Sequence, residues 1–371
     1  MAFVRSKQVR GRTYYQLVES KLVNGKPVQR VIKHLGPEGK AKRFCADNGL
    51  QFPDTPTTAS HDSFFTSPHQ AAELVTALKG RQEIPLKFAY LEDGAENWRG
   101  VVESKEYGLG STETELIAVN AAKIIGEVGK ANIVDIGCGT GKKAVPFIAE
   151  MTRISQPKYV AFDISPAMLA LAESNLVKKF PKLNTNFFSA DFEQTNLAQE
   201  MLRLRENNFR RSLFLFLGNT VGNVVDKGRV LTNLRESMTF DDYLLLGIEL
   251  FDLNRISKIL SHYRDSAEVR RLLTGVLKRY GVEGDGRLDV SFNNEKSQVE
   301  IHLAPRRDAD LTVSGKKIRL KEGEKVLLAV SYKGTPKRLQ ILLADTGFVI
   351  IHTYLSPEED YALVLCKPAR M

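Results

Sequence analysis

Apolar and polar residues alternate in two short stretches near the start of the chain, residues 13–20 and 27–35, with Asn24-Gly25 between them. That alternation around an Asn-Gly pair predicts a tight β-hairpin. Residues 52–69 are rich in Pro, Ser and Thr and predict a linker. An amphipathic pattern opens at Ser67-Pro68. From about residue 112 to 250, helical periodicity alternates with short continuous apolar runs, the pattern of a layered α/β core with parallel strands. Residues 255–283 are charged and helical in period. Beyond about 285, strand-like runs appear at 288–292, 299–303, 318–320, 326–330 and 348–351. There is no internal repeat and no low-complexity tract. The pattern divides the chain into 1–46, a small β-hairpin unit; 47–69, a linker; 70–250, an α/β core; and 251–371, a C-terminal α+β lobe.

Charge changes this picture at one end only. The formal net charge is +9, and residues 1–43 hold eleven Lys or Arg against Glu19 and Glu38, so the rest of the chain is balanced. Arg5, Lys7, Arg10, Arg12, Lys26, Arg30 and Lys33 give the hairpin unit a basic character suited to nucleic acid, or merely a solvated face. No run approaches the ~20 apolar residues that span a bilayer, and no signal-peptide core opens the chain. Cys45, Cys138 and Cys366 are scattered without metal-ligand spacing, which predicts a reducing, cytoplasmic setting and no metal.

Candidate chemistry concentrates at Ala131-Asn-Ile-Val-Asp135-Ile-Gly137-Cys138-Gly139-Thr-Gly141-Lys142-Lys143. An apolar strand would deliver Asp135 to a sheet edge, and the alternate glycines would let the backbone turn tightly beside a ligand. The third glycine comes too early for the Gly-x-Gly-x-x-Gly loop of a dinucleotide site. Two more acid-ended apolar runs follow, Tyr159-Val-Ala-Phe-Asp163 and Phe187-Phe-Ser-Ala-Asp191-Phe192. Together these resemble the cofactor site of class I S-adenosylmethionine (SAM)-dependent methyltransferases. The implied fold is α/β and Rossmann-like, with a C-terminal α+β substrate-binding lobe.

A more specific likeness comes from Leu213-Phe-Leu-Phe-Leu-Gly218-Asn219-Thr220-Val221-Gly222-Asn223. This stretch resembles the Phe-x-Gly-Ser-Thr-Ile-Gly-Asn sequence of the L-histidine Nα-methyltransferases of ergothioneine biosynthesis, with Asn219 where serine is usual. The resemblance runs over roughly residues 80–371 and includes Phe88-Ala-Tyr90 through Gly94, Glu106-Tyr107 through Glu113, Val299 through Leu303 and Leu328 through Lys333. It implies that Gly137, Gly139, Lys143, Asp163, Asp191 and Phe192 bind SAM. Lys143 would pair with its carboxylate, Asp163 hold the ribose, and Asp191 with Phe192 address the adenine. It implies likewise that Tyr90, Tyr107, Asn223, Tyr263 and Ser331 surround a small amine. Residues 1–46 are similar to the N-terminal segment of certain insertion-sequence transposases.

One departure bears on the substrate. The histidine enzymes address imidazole with a Glu-x-Ser pair, and the matching residues here are Ala329 and Ser331. Losing the carboxylate leaves a ring N–H unpaired, at a cost of ~1–3 kcal/mol. The implied activity is therefore N-methylation of an amino acid or related amine other than histidine. The catalytic base is not identifiable. Two alternatives stay open: a nucleic-acid or protein methyltransferase recruited through residues 1–43, and a non-catalytic SAM-binding regulator.

Overall fold

A computed structural model of the chain describes residues 2–9, 12–23, 26–36, 38–48, 50, 64–103, 108–205, 211–252, 254–282 and 286–370. The chain forms two compact units, Met1–Pro68 and His69–Met371.

In the first unit the expected hairpin strands are two of a three-stranded antiparallel sheet, in the order β1 (Ala2–Val9), β2 (Arg12–Val23), β3 (Lys26–Gly36). The additional strand, Ala-Phe-Val-Arg-Ser-Lys-Gln-Val, carries too few apolar residues to stand out as a sequence signal. Helix α1 (Glu38–Asp47) follows, and Val4, Tyr15, Leu35, Ala41 and Cys45 form a small buried core. The expected Asn24-Gly25 turn and most of the expected linker lie outside the described residues.

The second unit opens with three helices, α2 (Pro68–Arg81), α3 (Gly94–Glu103) and α4 (Gly108–Val128). Then come β4 (Asn132–Ile136), α5 (Val145–Ile154), β5 (Lys158–Asp163), α6 (Pro166–Lys179), β6 (Asn184–Ser189), α7 (Ala198–Leu204), β7 (Ser212–Phe216), α8 (Lys227–Glu236) and β8 (Tyr243–Glu249). The five strands of this segment pair in parallel, and the apolar runs of β4, β5, β7 and β8 are buried on both faces, while β6 forms a half-exposed edge. Phe214 and Phe216 enter one core, Leu213 and Leu215 the other.

Next are α9 (Ile256–Asp265) and α10 (Ala267–Arg279), then β9 (Arg287–Asn293) and β10 (Gln298–Ala304). A hairpin of β11 (Ala309–Val313) and β12 (Lys316–Leu320), then β13 (Val326–Tyr332), complete an antiparallel lobe whose main sheet has the order β13-β10-β9. Helix α11 (Pro336–Asp345) leads to β14 (Phe348–Leu355) and β15 (Tyr361–Pro368).

Those last two strands fall within the segment expected to form the C-terminal lobe, yet they return to the main sheet. Its order is β14-β15-β8-β7-β4-β5-β6, with β15 antiparallel to both neighbours. The reason is hydrophobic. Ala362, Val364 and Cys366 join one core and Leu363 and Leu365 the other, so the strand fits only between two covered faces. Strand order reverses between β4 and β7, which puts the ligand crevice at their carboxyl ends. No helix among the described residues is long and apolar enough to cross a membrane.

Candidate active site

The glycine loop after β4 shows why its sequence is what it is. Gly137, Gly139 and Gly141 take left-handed φ values of 64°, 53° and 70°. A Cβ on Gly141 would lie 3.2 Å from Ala172 Cβ on α6, so the third glycine also allows that helix to approach. The Gly137 N–H donates to the Phe162 carbonyl at 2.8 Å, tying the loop to β5.

At the end of β5, Asp163 accepts the Gly139 N–H at 3.0 Å and the Ser165 N–H at 2.9 Å, one on each oxygen. Burial raises its pKa, and the amides of Ser165, Gly139 and Ile164 oppose that shift. The carboxylate is thus fixed in orientation, with lone pairs left for a diol.

Asp135 lies beneath the same loop and accepts the Tyr159 hydroxyl at 2.8 Å. Burial pushes its carboxyl up to about 7 from an ordinary 3.8, against the opposing bond from Tyr159. The native state therefore holds an extra proton between those values. The stability from this group is full below about 4, falls as pH rises through 4 to 7, and stays low above. Thermal melts should show Asp135→Asn gaining on the wild type across that window, by at most about 1.4 kcal/mol per pH unit. A constant difference from pH 4 to 8 would contradict the assignment.

Gly137, Gly139, Asp163, Asp191 and Phe192 line one cavity of about 700 Å³. Phe192 stands edge-on to Phe216 at 5.6 Å between centroids, and its Cε1 lies 3.4 Å from where a Cβ on Gly137 would sit. Asp191 is bound by Lys87 Nζ at 2.6 Å, and Lys87 also pairs with Glu73 at 2.6 Å. Burial works against the Lys87 ammonium, but Glu193, Asp191 and Glu73 outweigh it and raise its pKa.

Lys143 lines a second cavity of about 700 Å³ instead. It pairs with Glu113 of α4 at 2.5 Å, while the other Glu113 oxygen accepts the Gly218 N–H at 2.7 Å. Tyr90, Asn223, Tyr263 and Ser331 line this second cavity too, whereas Tyr107 lies outside the described residues. The two cavities meet at Leu86, Tyr90, Trp98, Gly218 and Asn223. The side chain of Asn223 makes no hydrogen bond among the described residues and borders both spaces. Tyr90 stands edge-on to Trp98 at 5.6 Å. Burial, then the negative charge of Asp163, raises its phenol well above the ordinary range and keeps it protonated.

Opposite Asn223, polar groups form a tight cluster. Asn219 has φ 53° and donates its N–H to the Tyr361 hydroxyl at 3.0 Å. Its side-chain carbonyl accepts the Glu249 N–H at 3.1 Å, and its NH₂ donates to Ser331 Oγ at 3.3 Å. Lys333 Nζ donates to Ser331 Oγ at 3.0 Å and pairs with Glu249. Tyr263 Oη is 3.2 Å from the same Ser331 oxygen. A Cβ on Gly222 would lie 2.6 Å from the Asn219 amide, so glycine there lets Asn219 fold back. Across the cavity, Val269, Leu272, Leu273 and Ile301 present an apolar wall. Strand β13 carries a bulge at Leu328, since Ile301 pairs with Ala329 but His302 with Leu327. Both Ala329 and Ser331 border the cavity.

Residues 70–368 match the profile of the family described as "Histidine-specific methyltransferase, SAM-dependent". The chain belongs to that family. It is a SAM-dependent methyltransferase with the class I fold, and the first cavity, with its glycine cradle and tethered Asp163, fits that methyl donor. The histidine N-alpha-methyltransferase of Mycobacterium tuberculosis is 25% identical over 308 residues, which are 77% of this chain and 91% of that protein. Among solved structures, the magnesium protoporphyrin IX methyltransferase of Synechocystis PCC 6803 aligns at 12% identity and a TM-score of 0.40, covering 81% of this chain and all of that one. The 1,6-didemethyltoxoflavin-N1-methyltransferase of Burkholderia thailandensis aligns at 12% and 0.39, over 77% of this chain and 91% of its own. Residues 3–44 match the profile of the IS1634 family transposase N-terminal domain.

Against this family member's geometry, sequence reasoning missed Glu113, Asn219, Glu249 and Lys333 as parts of the site. Two of them carried a signal. A lysine ends the apolar run Val326–Tyr332, and a glutamate ends the apolar Tyr243–Glu249, so each strand closes on a charge at the same crevice.

Proposed function

We propose that this methyltransferase acts on the amino group of an α-amino acid or related small amine whose side chain is apolar and larger than imidazole. The observation that carries this reading is Ala329 in the lining of the second cavity, which also has the apolar wall of Val269, Leu272, Leu273 and Ile301. The carboxylates that border the space, Glu113 and Glu249, are each committed to a lysine. An imidazole N–H would find no free carboxylate there. Beyond Ala329 and Val330 lies a third space of about 1020 Å³, which gives a larger side chain room to extend.

SAM bound beside Asp163 supplies an electrophilic methyl group. The protein's part is to hold the amine against it and to exclude water. Asn223, at the junction of the two cavities, is placed to orient the amine. Its amide cannot take up a proton, so its role is positional. Tyr90 closes the junction with a protonated phenol.

The test is a screen of methyl transfer from SAM to the common amino acids and their amines, read by mass spectrometry. Aromatic or large aliphatic acceptors are expected to exceed histidine by at least about tenfold in kcat/KM. A preference for histidine would overturn the reading.

A further inference from the structure

The polar cluster behind the acceptor cavity has a direction, and the donor inventory fixes it. The Glu249 backbone N–H can only donate, so the Asn219 side chain must turn its carbonyl to Glu249 and its NH₂ to Ser331. Lys333 Nζ can also only donate, and it lies 3.0 Å from Ser331 Oγ. Those two donors fill both acceptor sites of the Ser331 hydroxyl. Its own proton then has one neighbour left, Tyr263 Oη at 3.2 Å. With its oxygen accepting from Ser331, Tyr263 keeps its own proton for the cavity it borders.

We propose that the buried Lys333–Glu249 pair is a positioning device. It fixes the direction of the Ser331–Tyr263 hydroxyl chain so that Tyr263 donates into the acceptor cavity, which selects an acceptor carrying a carboxylate beside its amine. This rests on the acceptor being an amino acid or amine held in that cavity. Lys333 is fully buried; burial works against its ammonium, but the Glu249 carboxylate outweighs it and raises its pKa, so its protons stay in place. Without that ammonium, one acceptor site of Ser331 opens and Tyr263 can turn its proton inward. Ser331 thereby acts through Tyr263 and has no proton of its own for a substrate.

The experiment compares methyl transfer to an aromatic α-amino acid and to its decarboxylated amine, in the wild type, a Lys333→Met/Glu249→Leu double variant, and Tyr263→Phe. Removing both charges avoids stranding one of them in the interior. Tyr263→Phe removes a single oxygen and reads the same chain if the double variant does not fold. Calorimetry with S-adenosylhomocysteine reports the donor cavity separately. The wild type is expected to favour the amino acid by at least about tenfold in kcat/KM, as suits a hydrogen bond to a charged acceptor. Both variants should lose most of that preference through acceptor KM, with S-adenosylhomocysteine affinity within about twofold of wild type. A variant that binds S-adenosylhomocysteine and keeps the wild-type preference overturns the proposal and leaves the acceptor class standing. A wild type that binds S-adenosylhomocysteine but neither binds nor methylates either acceptor overturns the acceptor reading, and this proposal with it.

Discussion

Replacing Asp163 with alanine is expected to remove methyl-donor binding, with S-adenosylhomocysteine affinity falling by at least about a hundredfold in a calorimetric titration. The size follows from what the carboxylate holds. Its two oxygens accept the N–H groups of Gly139 and Ser165, so the variant leaves two loop donors without their partner. Each such orphan costs ~1–3 kcal/mol, and the contact to a ribose diol is lost in addition. The glycine loop, whose residues need left-handed φ values to follow their path, loses its side-chain tether at Gly139 at the same time and keeps only the backbone bonds to Phe162. Asp163→Asn should be nearly as severe, because an amide NH₂ would face one of the two backbone N–H groups with donor against donor. Wild-type affinity in a folded Asp163→Ala protein would take this residue out of the donor site.

The second large effect is expected from Ala329→Glu. Turnover of an apolar acceptor should drop by about a hundredfold or more, because the new carboxylate would stand against Leu272, Leu273 and Ile301 with no counterion to spare. The nearby lysines are taken, Lys333 by Glu249 and Lys143 by Glu113. Histidine turnover should rise in the same variant, since an imidazole N–H would then have an acceptor. Paired kcat/KM measurements on a large apolar amino acid and on histidine check both directions. A folded variant with wild-type kinetics on the apolar acceptor would place Ala329 outside the acceptor site.

Much of the donor side was legible in the sequence because its signals are local. Three alternating glycines and acids closing apolar strands each fit within a dozen residues, and the crevice at reversed strand order follows from the α/β pattern. The acceptor side was harder to read because its bonds span the chain. Glu113 meets Gly218 across 105 positions, and Lys333 meets Glu249 across 84. No periodicity links residues so far apart. The alternation at 348–351 was visible, but nothing local says that its strand and the apolar Tyr361–Pro368 belong to the main sheet and not to the lobe beside it. Burial on both faces decides that for Tyr361–Pro368, and the strand at Phe348–Leu355 follows by pairing with it. Of the acceptor residues carried over from the family, Ala329 was the most telling, since a missing carboxylate can be read without knowing any partner.

Strand β15 ties assembly of the protein to its competence. It lies inside the main sheet between β8 and β14, and its first residue, Tyr361, receives the Asn219 N–H that shapes the loop after β7. During synthesis, β8 therefore waits as an uncovered edge until residues 361–368 have emerged. A chain that stops before them lacks both the strand that closes the sheet and the hydroxyl that anchors the acceptor pocket. Such a fragment would be sticky and catalytically silent together, so translation past β15 acts as a checkpoint on which copies can transfer a methyl group.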